Sequence, residues 1–526
     1  MVFGILAVLI HIPFVFRYDL AFGSGNAQCY LMMKRILHGE LYIYQWGSDY
    51  TGMGPVDFIT ALLFAIFGPS IPLSGFVSLL FYGIGVALMV AYVALCFGKR
   101  TALFTGCALA IGMPQLLHHT VQPYGNHYPT VLAYLGGFLL LTVWAMRRGP
   151  RSWVCALTAL IMGWHWYVHK HVIVVWLTIG LGLVAMPEGR AFLRNFLRSR
   201  MALFSVVAFL IGYSPELIYK LGFVASRAER QTDSSSFLKV ASPELMVQNW
   251  YMLFRCIPEY FDADPWARQL PDIHYVNHME NWESFPINPV DTIGVIAAFL
   301  VISLILASAW KSYQQRDLKV FLLAACPLVV AAIVVIADRS YGAYYRIQQY
   351  LLPAGLLCTV WLGIRLSRDW ESRRWASAAI LSLLLGVSLY HQYRLLELPD
   401  PIVDYRKTAA DIEAHGYQYG LTWYPFSHIL TALSDEKVMF GIVDHTFQSP
   451  YQKSATEAAT VAVVWPAKNA PPFEFAQTLF FGGVRVRDDA VRMLPDQVTF
   501  LGHNYRRIGD SKIIGELGWA PYRKIF

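Results

Sequence analysis

Charged residues are scarce in this sequence. Only 15% of its 526 residues are Asp, Glu, Lys or Arg, whereas 56% are hydrophobic, and soluble domains carry roughly 25% charged residues. The chain therefore lacks the polar side chains needed to cover several soluble domains. This composition argues against a water-soluble enzyme and against a disordered chain. It is typical of an α-helical protein that crosses the membrane many times.

Paired cysteines and a continuous basic surface are also missing. The seven cysteines are scattered, without a CxxC motif or a Cys/His zinc spacing, so the sequence predicts neither a disulfide framework nor a metal site. The net charge is +7, but the Lys and Arg residues form short clusters between apolar runs, as membrane topology requires. We therefore predict a lipid bilayer around the chain and no nucleic-acid partner.

Long apolar runs are abundant. A hydrocarbon core of about 30 Å needs roughly 20 apolar residues per helix. The run 56–67 is too short to span and predicts an interfacial or re-entrant helix, and the short runs 153–164 and 171–186 indicate half-buried helices or a broken pair. In total we predict about 11 spans, near 2–16, 75–97, 101–117, 128–146, 153–164, 171–186, 201–220, 290–309, 319–337, 347–364 and 375–390.

The basic residues of the short loops predict the orientation. Sixteen Lys and Arg residues lie in one set of short loops and only three in the alternate set, and the positive-inside rule makes the first set cytoplasmic. We therefore predict a multi-pass protein of the inner (plasma) membrane with a cytoplasmic amino terminus. The long segments 17–74 and 221–289, and the chain after about 391, then face the periplasm or the exterior.

The end of the chain is more polar than the rest. Residues 404–415 have a helical pattern, and they are followed by YQYGLTW, FSHILTALS, KVMFGIV and the apolar run ATVAVVW. This alternation predicts a small α/β domain. We therefore divide the chain into a transmembrane domain, residues 1–390, and a C-terminal domain, residues 391–526, on the outer side.

Ionisable residues are nearly absent from the predicted spans. The candidates are His11, Glu216 and Lys220, and the last two lie near an outer end, where we expect them to pair with each other. A transporter usually carries ionisable groups near the middle of the membrane. Their scarcity argues against a lipid or glycan transporter, and the outer loops are the better place for chemistry.

The first outer segment carries the most specific motifs. It contains QCYLMMKRILHGE, in which Lys34 and Arg35 lie on a polar helix face, as in a helix lying on the membrane, and then the glycine-rich turn WGSDYTGMGP. With QPYGNHYPTVLAYLGG, MGWHWYVHKHVIVV, IGYSPELIYKL and YYRIQQYLLPAGL, it resembles the bacterial GT-C glycosyltransferases. These enzymes are related to protein O-mannosyltransferases (glycosyltransferase family 39) and to aminoarabinose transferases.

The resemblance implies the GT-C fold and a polyprenyl-phosphate-linked sugar as donor, with no other cofactor and with divalent metal dependence left open. The acceptor would be a lipid, a glycan or a protein. One departure matters, because relatives commonly carry an acidic pair where this chain has Gly25 and Asn26. Asp49 and Asp19 are therefore the candidate catalytic carboxylates, and Asp57 ranks behind them.

Other outer residues are candidates for substrate contacts. Arg339, Arg346 and Lys170 stand near outer ends of spans, where they would bind the donor phosphate or reach the membrane interface as ordinary snorkelling side chains. Aromatic and histidine side chains of the outer loops would contact the sugar or anchor the chain at the interface. The candidate substrate-binding residues are His118, Tyr124, His127, Trp164, His169 and Tyr345.

Two other interpretations stay open within the membrane class. An O-antigen polymerase or ligase shares many spans and large outer loops, but it lacks the ILHGE and WGSDYTG motifs. A non-catalytic GT-C-like scaffold would explain the departure at Gly25 and Asn26. The sequence favours an active glycosyltransferase.

Overall fold

The structure is a computed structural model of the chain. It describes residues 1–17, 24–46, 52–112, 120–121, 129–168, 172–221, 240–244, 246, 250, 303–336, 344–397, 402–422, 424–443, 450–466, 496–500, 502–514 and 517–525. The domain boundary predicted near residue 390 stays a prediction. The elements below belong to these described ranges.

The transmembrane part is built from helices. They are α1 (Val2–His11), continued by a 3-10 turn (Ile12–Phe16), α2 (Ser24–Ile36), α3 (Pro55–Phe67), α4 (Ile71–Phe97), α5 (Lys99–Ile111), α6 (Pro129–Arg148), α7 (Trp153–Val168), α8 (Val172–Ala185), α9 (Pro187–Leu197), α10 (Arg200–Lys220), α11 (303–314), α12 (Leu318–Ile336) and α13 (Tyr344–Arg394). A buried apolar cluster that joins α1, α4, α6, α8 and α12 forms the main core.

Most of the described helices overlap predicted spans, but few combine the length and the apolar character of a complete span. Within the described ranges, α4 and α10 are long and apolar enough to cross a membrane, and the bent pair α8 and α9 makes a third if it counts as one span. The expectation of about 11 spans is thus supported only in part, because helices such as α7 are shorter than a bilayer requires. Helix α3 is short, as the sequence predicted.

A bend of 100° lies between α8 and α9, at Met186. The break that the sequence predicts between 153–164 and 171–186 falls at residues 169–171, which lie outside the described residues, and stays a prediction. Pro187 begins α9, and Arg190 donates to the carbonyls of Val184 and Ala185, at 3.0 and 2.8 Å. These bonds satisfy carbonyls that the end of α8 leaves without helical partners.

Helix α13 joins two predicted spans. Its backbone leaves helical geometry at Arg373, with φ −142° and ψ 46°. Arg373 lies between the predicted spans 347–364 and 375–390, in one of the basic clusters expected in a short cytoplasmic loop. In the structure this connection is a kink within α13.

The C-terminal part forms a mixed sheet, as the alternating pattern predicted. Its strands are β1 (Tyr419–Thr422), β2 (Met439–Ile442), β3 (Thr460–Pro466), β4 (Gln497–Phe500), β5 (His503–Arg507), β6 (Lys512–Ile514) and β7 (Leu517–Ile525). The order is β2-β1-β3-β7-β5-β4, with β6 also paired to β7; β1 runs parallel to β2 and β3, and the other pairs are antiparallel. Its helices are α14 (Ile402–Ala414), α15 (Tyr424–Leu433) and α16 (Gln452–Glu457).

Helix α2 connects the two parts of the molecule. Residues 26–33 are buried on every side, and they share an apolar cluster with Phe64 of α3 and with Ile402, Ile429 and Tyr451 of the C-terminal part. The expectation of a helix lying on the membrane with an exposed polar face is therefore wrong. Lys34 and Arg35 instead form ion pairs with acidic residues of the C-terminal part.

Candidate functional site

Most of the predicted site residues fall where the structure gives no description of the side chain. The backbone of Arg346 and Tyr345 is described in the first turn of α13, and Trp164 is described in α7. The remaining candidates lie outside the described residues: Asp19, Asp49, His118, Tyr124, His127, His169, Lys170 and Arg339. Their roles stay predictions.

Asp57, the carboxylate that the sequence analysis ranked behind the others, is fully buried in the first turn of α3. Its Oδ2 accepts the backbone N–H of Gly54 at 2.6 Å, which caps the helix. Its Oδ1 is buried as well and has no hydrogen-bond partner among the described residues. Buried polar atoms are almost always hydrogen-bonded in native proteins, so this oxygen is available to a group that comes from elsewhere.

Three more buried oxygens without described partners belong to residues near Asp57. They are Asn26 Oδ1 on α2, Thr60 Oγ1 one turn after Asp57, and the hydroxyl of Tyr134 on α6. Tyr134 and Cys29, which is one turn after Asn26, lie within electrostatic range of Asp57. We call these four residues, Asn26, Asp57, Thr60 and Tyr134, the buried polar cluster.

The ring of Tyr134 is held by a stack. The imidazole of His165 lies parallel to it, with ring centroids 3.4 Å apart and an interplanar angle of 22°, and His165 also stacks against Phe138 of α6. His165 lies buried inside α7, and this stack fixes the orientation of the Tyr134 ring.

Burial sets the protonation of Asp57. Desolvation raises the pKa of its carboxyl to about 7, and the hydrogen bonds from the backbone of Gly54 and of Asp57 itself offset only part of that effect. Asp57 therefore changes charge near neutral pH, the range in which a carboxylate works best as a general base.

Tyr167, at the end of α7, anchors Ile43 and Met53 beside the cluster. Its hydroxyl donates to the carbonyl of Ile43 and accepts from the N–H of Met53, at 3.1 Å. The N–H of Gly52 also donates to the carbonyl of Val168, at 3.1 Å. The described residues on either side of Asp49, Ile43 before it and Gly52 and Met53 after it, are thus bonded to the end of α7.

Aromatic contacts surround this anchor. Tyr44 packs edge-on against Tyr167 and against Tyr219 of α10, with centroids 5.8 and 4.7 Å apart. Trp164, predicted to bind substrate, meets Tyr167 edge-on at 5.9 Å. Its ring therefore packs against Tyr167, and a sugar contact remains a prediction.

A second buried carboxylate lies on the other side of Tyr167. Glu216 of α10 is fully buried and pairs with Lys220 at 2.6 Å, as the sequence analysis expected. Asp57 and Glu216 both lie within electrostatic range of the Tyr167 hydroxyl. The two differ chemically, because Glu216 already has a cation and Asp57 has none among the described residues. Nowhere in the described ranges do three His, Cys, Asp or Glu side chains come together to hold a metal ion.

The arrangement of helices and sheet matches a known structure. ArnT from Cupriavidus metallidurans, bound to undecaprenyl phosphate, aligns with a TM-score of 0.55 at 12% identity, over 99% of this chain and 97% of that one. The chain has the GT-C fold. The resemblance found in the sequence is therefore confirmed at the level of the fold, which is all that so low an identity establishes.

Another solved structure aligns less well with this chain. The Archaeoglobus fulgidus oligosaccharyltransferase in the apo form aligns with 88% of this chain and 69% of its own at 12% identity, and its TM-score of 0.48 is too low to carry an argument. No protein-family model and no curated protein sequence matches this chain.

Within this GT-C fold, sequence reasoning undervalued Asp57. The signal was present, because GPVD places an acid at the third position of a helix whose first residue is proline, where its side chain can cap the backbone. What the pattern did not reveal is that a second oxygen of the same carboxylate is buried beside α2 and α6. That fact depends on the packing of three segments distant in sequence.

Proposed function

We propose that this chain is an integral membrane glycosyltransferase that moves a sugar from a polyprenyl-phosphate carrier to a lipid, glycan or protein acceptor on the outer face of the membrane. The fold shared with ArnT, described bound to undecaprenyl phosphate, supports a lipid-linked phosphate as the carrier. Since fold alone does not determine function, the proposal depends on the chemistry of the buried polar cluster.

The reaction needs a base, and Asp57 supplies one. In the proposed step the acceptor hydroxyl or amine attacks the anomeric carbon and passes its proton to Oδ1 of Asp57, while the bond from that carbon to the phosphate oxygen breaks and polyprenyl phosphate leaves. The unpartnered, buried Oδ1 of Asp57 is the observation that carries this assignment. A pKa near 7 leaves enough of the carboxylate ionised to accept a proton at neutral pH.

The same assignment accounts for the departure at the start of α2. Relatives carry acids where this chain has Gly25 and Asn26, and Cys29, one turn later, lies within electrostatic range of Asp57. Residues three apart share one face of a helix. Asp57 therefore offers a carboxylate to the face of α2 from which the family's acid is missing. Asp49 and Asp19 remain the alternative bases.

The departing phosphate needs cations. Arg339, Arg346 and Lys170 are the proposed donors of charge-assisted hydrogen bonds to its oxygens, and His118, Tyr124, His127, Trp164, His169 and Tyr345 are the proposed sugar and acceptor contacts. Orientation is part of the proposal. The ion pairs between α2 and the C-terminal part support one side of the membrane for both, and the positive-inside rule favours the outer side.

The test is a transfer assay with the full chain in proteoliposomes and a panel of polyprenyl-phosphate sugars. We expect Asp57→Asn to lower kcat by about 10² to 10⁴, because the amide cannot take the proton. Asp404→Asn, on the part-exposed face of α14, is the matched control and should keep the wild-type rate.

Three results would redirect the assignment. Loss of activity in Asp49→Asn or Asp19→Asn with a normal rate in Asp57→Asn would transfer the role of base to that residue. A wild-type rate in all three variants would remove a carboxylate base altogether. No transfer by the wild type from any donor of the panel would favour the non-catalytic scaffold.

A further inference from the structure

Two adjacent cations at the end of α2 meet two adjacent acids of the C-terminal part. Lys34 Nζ lies 2.7 Å from Asp435 Oδ1 and 2.9 Å from Glu436 Oε2, and Arg35 Nη2 lies 3.7 Å from Glu436 Oε1. Lys34, Arg35 and Glu436 are largely shielded from solvent, with side-chain exposures of 13, 23 and 22%. Shielded pairs are screened by salt much less than exposed ones.

The acids are presented by an unusual turn. Asp435 and Glu436, between α15 and β2, both have positive φ, 54° and 65°, which costs free energy in residues other than glycine. The turn is held by its backbone, since the N–H of Asp435 donates to Ala432 and the N–H of Glu436 donates to Thr431. This costly conformation directs both carboxylates towards α2.

Aromatic groups complete the contact. The Arg35 guanidinium lies over the rings of Trp46 and Tyr451, at 5.7 and 4.9 Å from their centroids, and the hydroxyl of Tyr451 donates to Glu436. Burial alone would raise the pKa of Glu436, but the hydrogen bonds from Tyr451 and Lys34 outweigh it and leave that pKa below its ordinary value. Glu436 is therefore ionised at neutral pH.

The other end of α2 reaches the buried polar cluster. Between its two ends the helix has no exposed face, because α3 and α15 cover it. Trp46 contacts both ends of α2. Its carbonyl accepts from Gln28, near the start of the helix, at 2.7 Å, and the guanidinium of Arg35, near its end, lies over its ring. Helix α2 therefore links the C-terminal part to the buried polar cluster that contains Asp57.

We propose that the Asp435–Glu436 turn is a latch by which the C-terminal part holds α2 against Asp57, with Glu436 as a positioning residue of the transfer site. The inference rests on the proposed function for its effect on catalysis. It makes the C-terminal part a component of the site, which is incomplete while the latch is open.

Cys29 reports the state of the latch independently of catalysis. Its side chain is buried on α2 between the two parts, so its alkylation, measured residue by residue with mass spectrometry, follows the opening of this interface. Cys326, buried in α12, serves as the internal reference. The experiment uses the full chain in proteoliposomes and compares Lys34→Glu, Glu436→Lys and the variant that carries both changes.

Each single reversal should speed the alkylation of Cys29 by about tenfold or more, because it buries like charges together, and should lower kcat while the donor KM changes little. The double variant restores opposite charges between positions 34 and 436, but it leaves like charges between position 34 and Asp435 and between position 436 and Arg35. Both quantities should therefore recover in part, beyond either single variant. Lys437→Glu, next in sequence but paired with Glu413 on the surface, should change neither.

Wild-type protection of Cys29 in both single variants would overturn the latch. Faster alkylation with an unchanged kcat would overturn its positioning role, as would failure of the double variant to recover kcat once Cys29 is protected again. If the wild type transfers no sugar, the proposed function fails, whereas the alkylation rates still decide whether the turn holds α2.

Discussion

Gly163 of α7 and Gly212 of α10 face each other where the two helices cross. A Cβ on Gly163 would overlap the carbonyl oxygen of Phe209, and a Cβ on Gly212 would overlap that of Leu160. One turn further along the same helices come Tyr167 and Glu216. The two glycines thus bring the helices close enough to place the anchor of the first outer segment beside a buried carboxylate.

This crossing predicts the effect of a single methyl group. Gly163→Ala should destabilise the protein by about 1–3 kcal/mol, as overpacking does, and should reduce transfer because Tyr167 moves. Gly180→Ala is the matched control, since a Cβ there meets nothing within 4 Å. Thermal unfolding in detergent measures the difference. Equal melting temperatures for the two variants would show that α7 and α10 accommodate the extra methyl group without loss of stability.

Removing one hydroxyl should loosen the anchor. Tyr167→Phe loses the hydrogen bonds to Ile43 and Met53 and leaves a buried N–H and a buried carbonyl with fewer partners, which costs about 1–3 kcal/mol. We expect a lower melting temperature and a lower kcat. Tyr313→Phe, on a part-exposed ring that stacks against Trp310, is the control. An unchanged kcat would show that the hydrogen bonds of the Tyr167 hydroxyl are not needed for transfer.

The transfer rate should depend on the ionisation of Asp57. Only the carboxylate accepts a proton, so with a pKa of about 7 the rate should rise about tenfold per pH unit below that value and level off above it. Initial rates from about pH 5 to pH 9 test this. A profile that is already flat at pH 5 would assign the base to a carboxylate with an ordinary pKa.

Stability should show the opposite dependence. The unfolded chain releases the Asp57 proton near 3.8 and the folded chain near 7, so between these values the folded state retains a proton that the unfolded state has lost. Stability therefore falls as the pH rises through this window, by about 4 kcal/mol at most. The side chain in Asp57→Asn carries no charge. The melting temperature of this variant, relative to that of the wild type, should therefore rise from pH 4 to pH 7.

The control for that comparison is again Asp404→Asn. Its carboxylate is about one-third exposed and lies 3.8 Å from Lys407, so this variant controls for the loss of one carboxylate charge outside the buried polar cluster. If Asp57→Asn behaves in the same way, the carboxyl of Asp57 is hydrated and its burial cannot raise its pKa.

Local sequence patterns predicted the elements of the C-terminal part well. The apolar run ATVAVVW became β3, and FSHILTALS lies mainly within α15, because each segment buries a face set by its own periodicity. The same reasoning failed for α2. Lys34 and Arg35 were expected to face solvent at the membrane surface, and the partners that bury them come from more than 400 residues later in the chain.

The amino-acid sequence alone determined that this protein belongs to the membrane and which of its loops carry the positive charge, since both follow from composition and from the order of residues. It also carried motifs that resemble those of the GT-C glycosyltransferases, and the fold agrees with that resemblance. Only the tertiary structure decided that Asp57 has a buried oxygen without a described partner and that Glu436 meets α2. The physical reason is that desolvation and ion pairing depend on distances between segments remote in the chain, which no local pattern encodes.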